Sequence, residues 1–368
     1  MHYHLILTES CNSECRYCYK KSFEDFGNNL DKKFKFDFSC PENLEIGIKK
    51  LKGFLEKDKN AVLIFYGGEP LLQIEKIKEI IDNINVPFRM QTNGKLLNKL
   101  PLKYLNKIEK ILISIDGDRE RTDFQKGKGT YNKIVRNLKK VRREGYKGEL
   151  VARMTISEFP DIYEQVLHLL NLKIFDSIHW QLDAGFYKFD FDKIKFKNFV
   201  EEYNESITKL VSFWLNEMEK GKVLKIYPFI GIMESLLKNK TTKLRCGAGH
   251  SGYAITTNGK IVACPIMNYI KEFEAGDLDT NPEKLKKFEI SGKCLNCKEK
   301  DLCGGRCLYE NKTELWPVDG QELICKTVKH LIKEIKKIFP EVRELISQGK
   351  IKIEDFNYEK YFGPEIIP

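Results

Sequence analysis

Ten of the chain's eleven cysteines fall into two groups. Cys11, Cys15 and Cys18 follow one another as C-x3-C-x2-C, and Cys246, Cys264, Cys294, Cys297, Cys303, Cys307 and Cys325 crowd into one stretch toward the C-terminus. Short spacings with an odd total do not build a closed disulfide framework. In a chain without a secretory signal they point to metal–thiolate centres. The opening MHYHLILTESC turns polar after a few apolar residues and does not read as a signal peptide. No apolar run approaches the ~18 residues that span a bilayer. A cytoplasmic, metal-binding protein is expected, with a C-terminal module stapled by its cysteines around little core of its own.

The remainder reads as α/β. Short apolar runs at residues 3–8, 61–66, 87–92, 110–116, 150–156 and 177–182 have the character of strands buried on both faces. Helical patterns at 42–55, 72–83, 130–144 and 161–170 alternate with them, which predicts a parallel sheet with right-handed crossovers. Six such units suit a partial (βα)6 TIM-like barrel better than a closed eight-stranded one. A long helix over 198–219, a hairpin of 253–257 and 260–264 turning on Asn258-Gly259, and a helix near 326–338 complete the reading. The expected division is a barrel over 1–225, a cysteine-rich module over 226–340 and a tail over 341–368. With 368 residues, 42% of them hydrophobic and 32% charged, the chain can bury a sizeable core. Its net charge of +10 comes mainly from lysines such as Lys49, Lys50, Lys52 and Lys57, interleaved with glutamates as on a solvated face. No aromatic–basic pattern suggests nucleic acid.

Three thiolates hold three irons of a 4Fe–4S cube and leave the fourth open to a small molecule, where an electron-transfer cluster uses four cysteines. A zinc site would be one ligand short. The triplet follows the first strand, at the end of a βα unit where such folds place active sites. Its sequence C-N-S-E-C-R-Y-C resembles the signature of the radical S-adenosylmethionine (SAM) superfamily, with Tyr17 in the aromatic position beside the adenine. Gly67-Gly68-Glu69-Pro70 after the second strand is similar to the family motif that meets the SAM amino group. The resemblance implies SAM contacts from Tyr17, Gly67, Gly68, Glu69 and Pro70. Ser114 and Asp116 at the fourth strand and Arg153 on the fifth stand where relatives meet the ribose and carboxylate, and Gln91–Gly94 are weaker candidates. Asn93-Gly94 and Asp116-Gly117 also read simply as turn formers.

The later cysteines, Cys246-x12-Gly259-x4-Cys264, Cys294-x2-Cys297-x5-Cys303-x3-Cys307 and Cys325, resemble the SPASM extension of that superfamily. The resemblance implies a first auxiliary cluster on Cys246, Cys264 and Cys307 and a second on Cys294, Cys297, Cys303 and Cys325, three 4Fe–4S clusters in all. The first set is one ligand short. Its fourth iron could be open to substrate, held by a side chain such as His250, or completed by Cys40. Anaerobic sulfatase maturases carry an extra cysteine near the first one and an aspartate directly after the second; here no such cysteine occurs and Pro265 holds the aspartate's place.

What the resemblance implies is cleavage of SAM to a 5′-deoxyadenosyl radical and oxidative modification of a ribosomally made peptide or protein: a crosslink, a ring or an epimerised residue. An external one-electron reductant is required. The first strand leaves no room for an N-terminal leader-binding domain, so a separate leader-binding protein is a candidate partner. The alternatives are an iron–sulfur electron carrier or scaffold without SAM chemistry, and a sulfatase-maturase-like or RNA-modifying enzyme.

Overall fold

The computed structural model describes residues 1–19, 30–183, 191–314, 316–363 and 366–368. Six βα repeats open the chain. Strand β1 (His2–Ile6) precedes helix α1 (Ile48–Leu55), and β2 (Val62–Tyr66) precedes α2 (Ile74–Asn83). β3 (Phe88–Thr92) and β4 (Ile108–Ser114) lead to α3 (Arg119–Lys126) and α4 (Thr130–Glu144), and β5 (Glu149–Ile156), α5 (Ile162–Asn171) and β6 (Ser177–Leu182) close the series. All six strands pair in parallel in the order of the chain, forming the partial barrel.

Strand side chains alternate between faces. One face packs on the helices: Leu63 and Phe65, Ile111 and Ile113, and Ile178 and Trp180 join the main core. α4 meets it with Ile134, Leu138 and Val141, spaced at one helical stripe, and is bounded by Gly129 and Gly145, both left-handed. The long α6 (Lys193–Glu219) begins at Asp192, whose carboxylate accepts from the Ile194 and Lys195 backbone N–H groups. It buries Tyr203, Ile207, Leu210 and Trp214. α7 (Tyr227–Leu237) follows.

Beyond it the sheet resumes. β7 (Gly252–Ile255) pairs in parallel with β1; β8 (Lys260–Val262) and β9 (Glu274–Asp277) continue antiparallel, giving one nine-stranded sheet. The cysteine-rich module thus extends the barrel's own sheet from its β1 edge. α8 (Leu308–Thr313), α9 (Val318–Lys337) and α10 (Phe339–Ser347) complete the elements. Among the described residues no helix is long and apolar enough to cross a membrane.

Two sequence expectations need correction. The helix expected over 42–55 begins at Ile48, because residues 42–45 run extended: Glu9 N–H donates to the Glu42 carbonyl, Leu44 N–H to Leu7 and Glu45 N–H to Thr257. The last long helix begins at Val318, directly after Pro317, and not near residue 326. The end of the chain enters the concave interior. Glu359 meets His2 at 3.0 Å, Arg89 at 3.0 Å and Lys110 at 3.2 Å, and Phe362 is buried with Ile64, Leu112, Val151 and Tyr227.

Candidate functional site

One cavity lies at the C-terminal ends of the parallel strands, with both cysteine groups on its walls. Cys11, Cys15 and Cys18 line it together with Cys246, Cys264 and Cys307. Tyr17, Gly67, Gly68, Ser114 and Arg153 lie among them.

The triplet loop is held from two sides. Arg16 N–H donates to the Gln125 carbonyl at 3.0 Å, and Cys18 N–H to that of Cys15 at 3.0 Å. The Asn93 amide donates to Asn12 Oδ1 at 2.7 Å and approaches Cys11 Sγ at 3.9 Å, and Lys126 Nζ lies 3.9 Å from Cys15 Sγ. Burial pushes the Cys11 and Cys15 thiols up, while Lys126 pulls Cys15 back. Desolvated thiols beside a cation suit ligation, since metal binding removes the proton that burial holds on.

The glycines of Gly67-Gly68 are required by close packing: a Cβ on Gly67 would meet the Thr8 carbonyl oxygen at 2.3 Å, and one on Gly68 that of Ser10 at 2.3 Å. Gly68 N–H and Glu69 N–H donate to those same two carbonyls. Glu69 is fully buried, behind the cavity wall. Its carboxylate accepts from Leu71 N–H at 3.0 Å, Thr92 Oγ1 at 2.7 Å and Asn93 N–H at 2.7 Å. These bonds join the ends of β2 and β3, and Pro70 is buried next to Glu69. Asp116 is likewise fully buried and accepts from Tyr17 Oη at 2.8 Å and Thr155 N–H at 2.9 Å. It fixes Tyr17, which lines the cavity. Ser114 and Arg153 line it too, Arg153 donating to Gln181 Oε1 at 2.9 Å.

The later cysteines gather in two sets. The charges acting on Cys264 come from Cys246 and Cys307, and burial pushes its thiol far up. Those acting on Cys303 come from Cys294 and Cys325, and burial raises its thiol to about 11. Cys297 acts in turn on Cys294. Among the described residues no three His, Cys, Asp or Glu side chains close on a point as they would around one ion. Sets of thiols are the donors that a cube of iron and sulfide takes. Neither candidate for the missing ligand of the first set is placed to serve. His250 uses both ring nitrogens, Nε2 with the Leu244 carbonyl at 3.2 Å and Nδ1 with Ser251 Oγ at 2.8 Å. Cys40 lies among Glu9, Asp37, Thr257 and Lys260, away from the cavity.

Sequence reasoning missed Lys126, Gln181, Arg306 and Glu310. Lys126 ends α3 with no motif around it. Arg306 and Glu310 flank Cys307, and both line the cavity. Their nearness to a ligand cysteine was the available signal. Burial raises the Glu310 carboxyl to about 7 although the Arg306 charge opposes it.

Residues 5–171 match the sequence model of the Radical SAM superfamily. A cysteine-type anaerobic sulfatase-maturating enzyme of Clostridium perfringens is 22% identical over 338 residues, 82% of this chain and 86% of that one. The solved structure of native anSMEcpe with bound AdoMet superposes with a TM-score of 0.67 at 17% identity, covering 95% of this chain and 100% of the other. Streptococcus suis SuiB bound to its precursor peptide SuiA gives a TM-score of 0.52 at 14% identity, over 87% and 75%. At these identities the superpositions establish a shared fold.

Proposed function

We propose that the chain is a radical SAM enzyme, as the match of residues 5–171 supports, and that it oxidatively modifies a ribosomally made peptide or protein, forming a crosslink, a ring or an epimerised residue. The observation that carries this reading is the one cavity lined both by Cys11, Cys15 and Cys18 and by Cys246, Cys264 and Cys307. A substrate between them would lie within reach of both centres. The peptide character of the substrate is supported by the relatives' own: one matures sulfatases, another holds a precursor peptide.

When bound, the clusters and SAM supply reductive cleavage of SAM, hydrogen-atom abstraction from carbon, and a sink for the substrate's electron. The chain supplies position. Cys11, Cys15 and Cys18 hold one cluster and leave one iron to SAM. Tyr17, locked by Asp116, sets the edge of the adenine site. The backbone at Gly67 and Gly68 lies open to the SAM ammonium, and Ser114 and Arg153 face the ribose and carboxylate. Cys246, Cys264 and Cys307 hold the first auxiliary cluster, and Cys294, Cys297, Cys303 and Cys325 the second. An external reductant would deliver the electron. Pro265, on the cavity wall where a maturase carries its aspartate, offers no proton acceptor, so sulfatase maturation is not the reaction proposed.

The test is anaerobic reconstitution with iron counting and a SAM-cleavage assay. About twelve irons per chain with 5′-deoxyadenosine released is the expected result. A full iron complement with no cleavage would replace this reading with an electron carrier.

A further inference from the structure

We propose that Glu310 is the fourth protein ligand of the centre formed by Cys246, Cys264 and Cys307; this rests on the cluster reading above. That centre has three thiols where a 4Fe–4S cube offers four irons. Glu310 lines the same cavity, and its Oε1 is buried without a hydrogen-bond partner. A buried carboxylate is otherwise paired or coordinated to metal.

Its placement follows from α8. Cys307 is the N-cap of that helix and makes no side-chain cap hydrogen bond, while the nearby Tyr309 and Glu310 backbone N–H groups favour its thiolate. Glu310 occupies the third helical position, from which a side chain reaches back over the N-cap. In a capping box the carboxylate would spend itself on the N-cap N–H; here Oε1 is left unspent, close enough to Cys307 that its charge acts on the thiol. A carboxylate also brings the single negative charge that a fourth thiolate would bring, with the harder donor atom. The cube would then be closed by the protein, and substrate would meet its face and not an open iron.

The experiment uses the full chain with Cys11, Cys15 and Cys18 replaced by alanine, so that about eight irons of auxiliary cluster remain. The electron paramagnetic resonance spectrum of the reduced protein is recorded with and without added 2-mercaptoethanol. Three forms are compared: Glu310 as found, Glu310→Gln and Glu310→Cys. The expected result is a spectrum unmoved by thiol with Glu310, one that shifts on adding thiol with Glu310→Gln at unchanged iron content, and a third, thiol-insensitive spectrum with Glu310→Cys. A spectrum that already shifts with Glu310 in place, or one that is the same in all three forms, overturns the assignment while leaving the cluster intact. About four irons in the starting protein overturns the cluster reading itself, and the ligand with it.

Discussion

Asp116 and Glu69 show how buried carboxylates brace the walls of a site. Each is fully buried and fully engaged, Asp116 with Tyr17 and Thr155, Glu69 with Leu71, Thr92 and Asn93. Removing the Tyr17 hydroxyl leaves a buried carboxylate oxygen without that donor. Tyr17→Phe should therefore cost about 1.5–3 kcal/mol of stability, read as a lowered denaturation midpoint, and weaken retention of SAM at equilibrium dialysis. An unchanged midpoint would mean that Lys126, 3.6 Å from Asp116, suffices alone. Cys11→Ala should abolish SAM cleavage and leave about eight irons per chain; loss of all iron would contradict the independence of the two cysteine groups.

At the scale of elements, packing decides. α6 is held by Trp214, fully buried against Phe229 and Phe356 with its indole N–H donating to the Leu224 carbonyl at 2.9 Å. Trp214→Ala should cost about 3–5 kcal/mol in chemical denaturation of the loaded protein, with SAM cleavage per folded molecule unchanged, because the helix lies outside the cavity. β6 and α4 were legible to the residue in the sequence, since an apolar run or stripe there ends at strong punctuation. The start of α1 was not: residues 42–45 carry no local mark of their long-range bonds to Leu7, Glu9 and Thr257. In the site, the cysteines were legible because their spacing is their chemistry. The supporting roles of Glu69 and Asp116 were not, because sequence shows that a carboxylate is present and not which way it faces. Glu310 was hidden for the same reason, one acidic residue among many until burial singled it out.

At the scale of the molecule, the barrel interior is polar below and functional above, and the tail fills the polar end. Glu359 faces His2, Arg89 and Lys110, with Glu149 across Lys110 at 3.0 Å. Burial works against its ionisation, but the His2 hydrogen bond and the Arg89 and Lys110 charges outweigh it and bring the carboxyl from its ordinary 4.5 to about 2. A lowered folded value gives stability that is present above the unfolded value and lost as pH falls through the folded one. Glu359→Gln should thus lower the thermal midpoint near neutrality and flatten its decline between about pH 4.5 and 2, followed by circular dichroism; an unaltered acid limb would show that the tail docks through Phe362 alone. This docking also has a consequence in time. The lumen of strands from the first 182 residues is filled by residues beyond 356, so a chain growing from its N-terminus can build the wall of the barrel long before its floor. Contacts of such separation are slow to form, and until they do the polar end of the partial barrel stands unfilled.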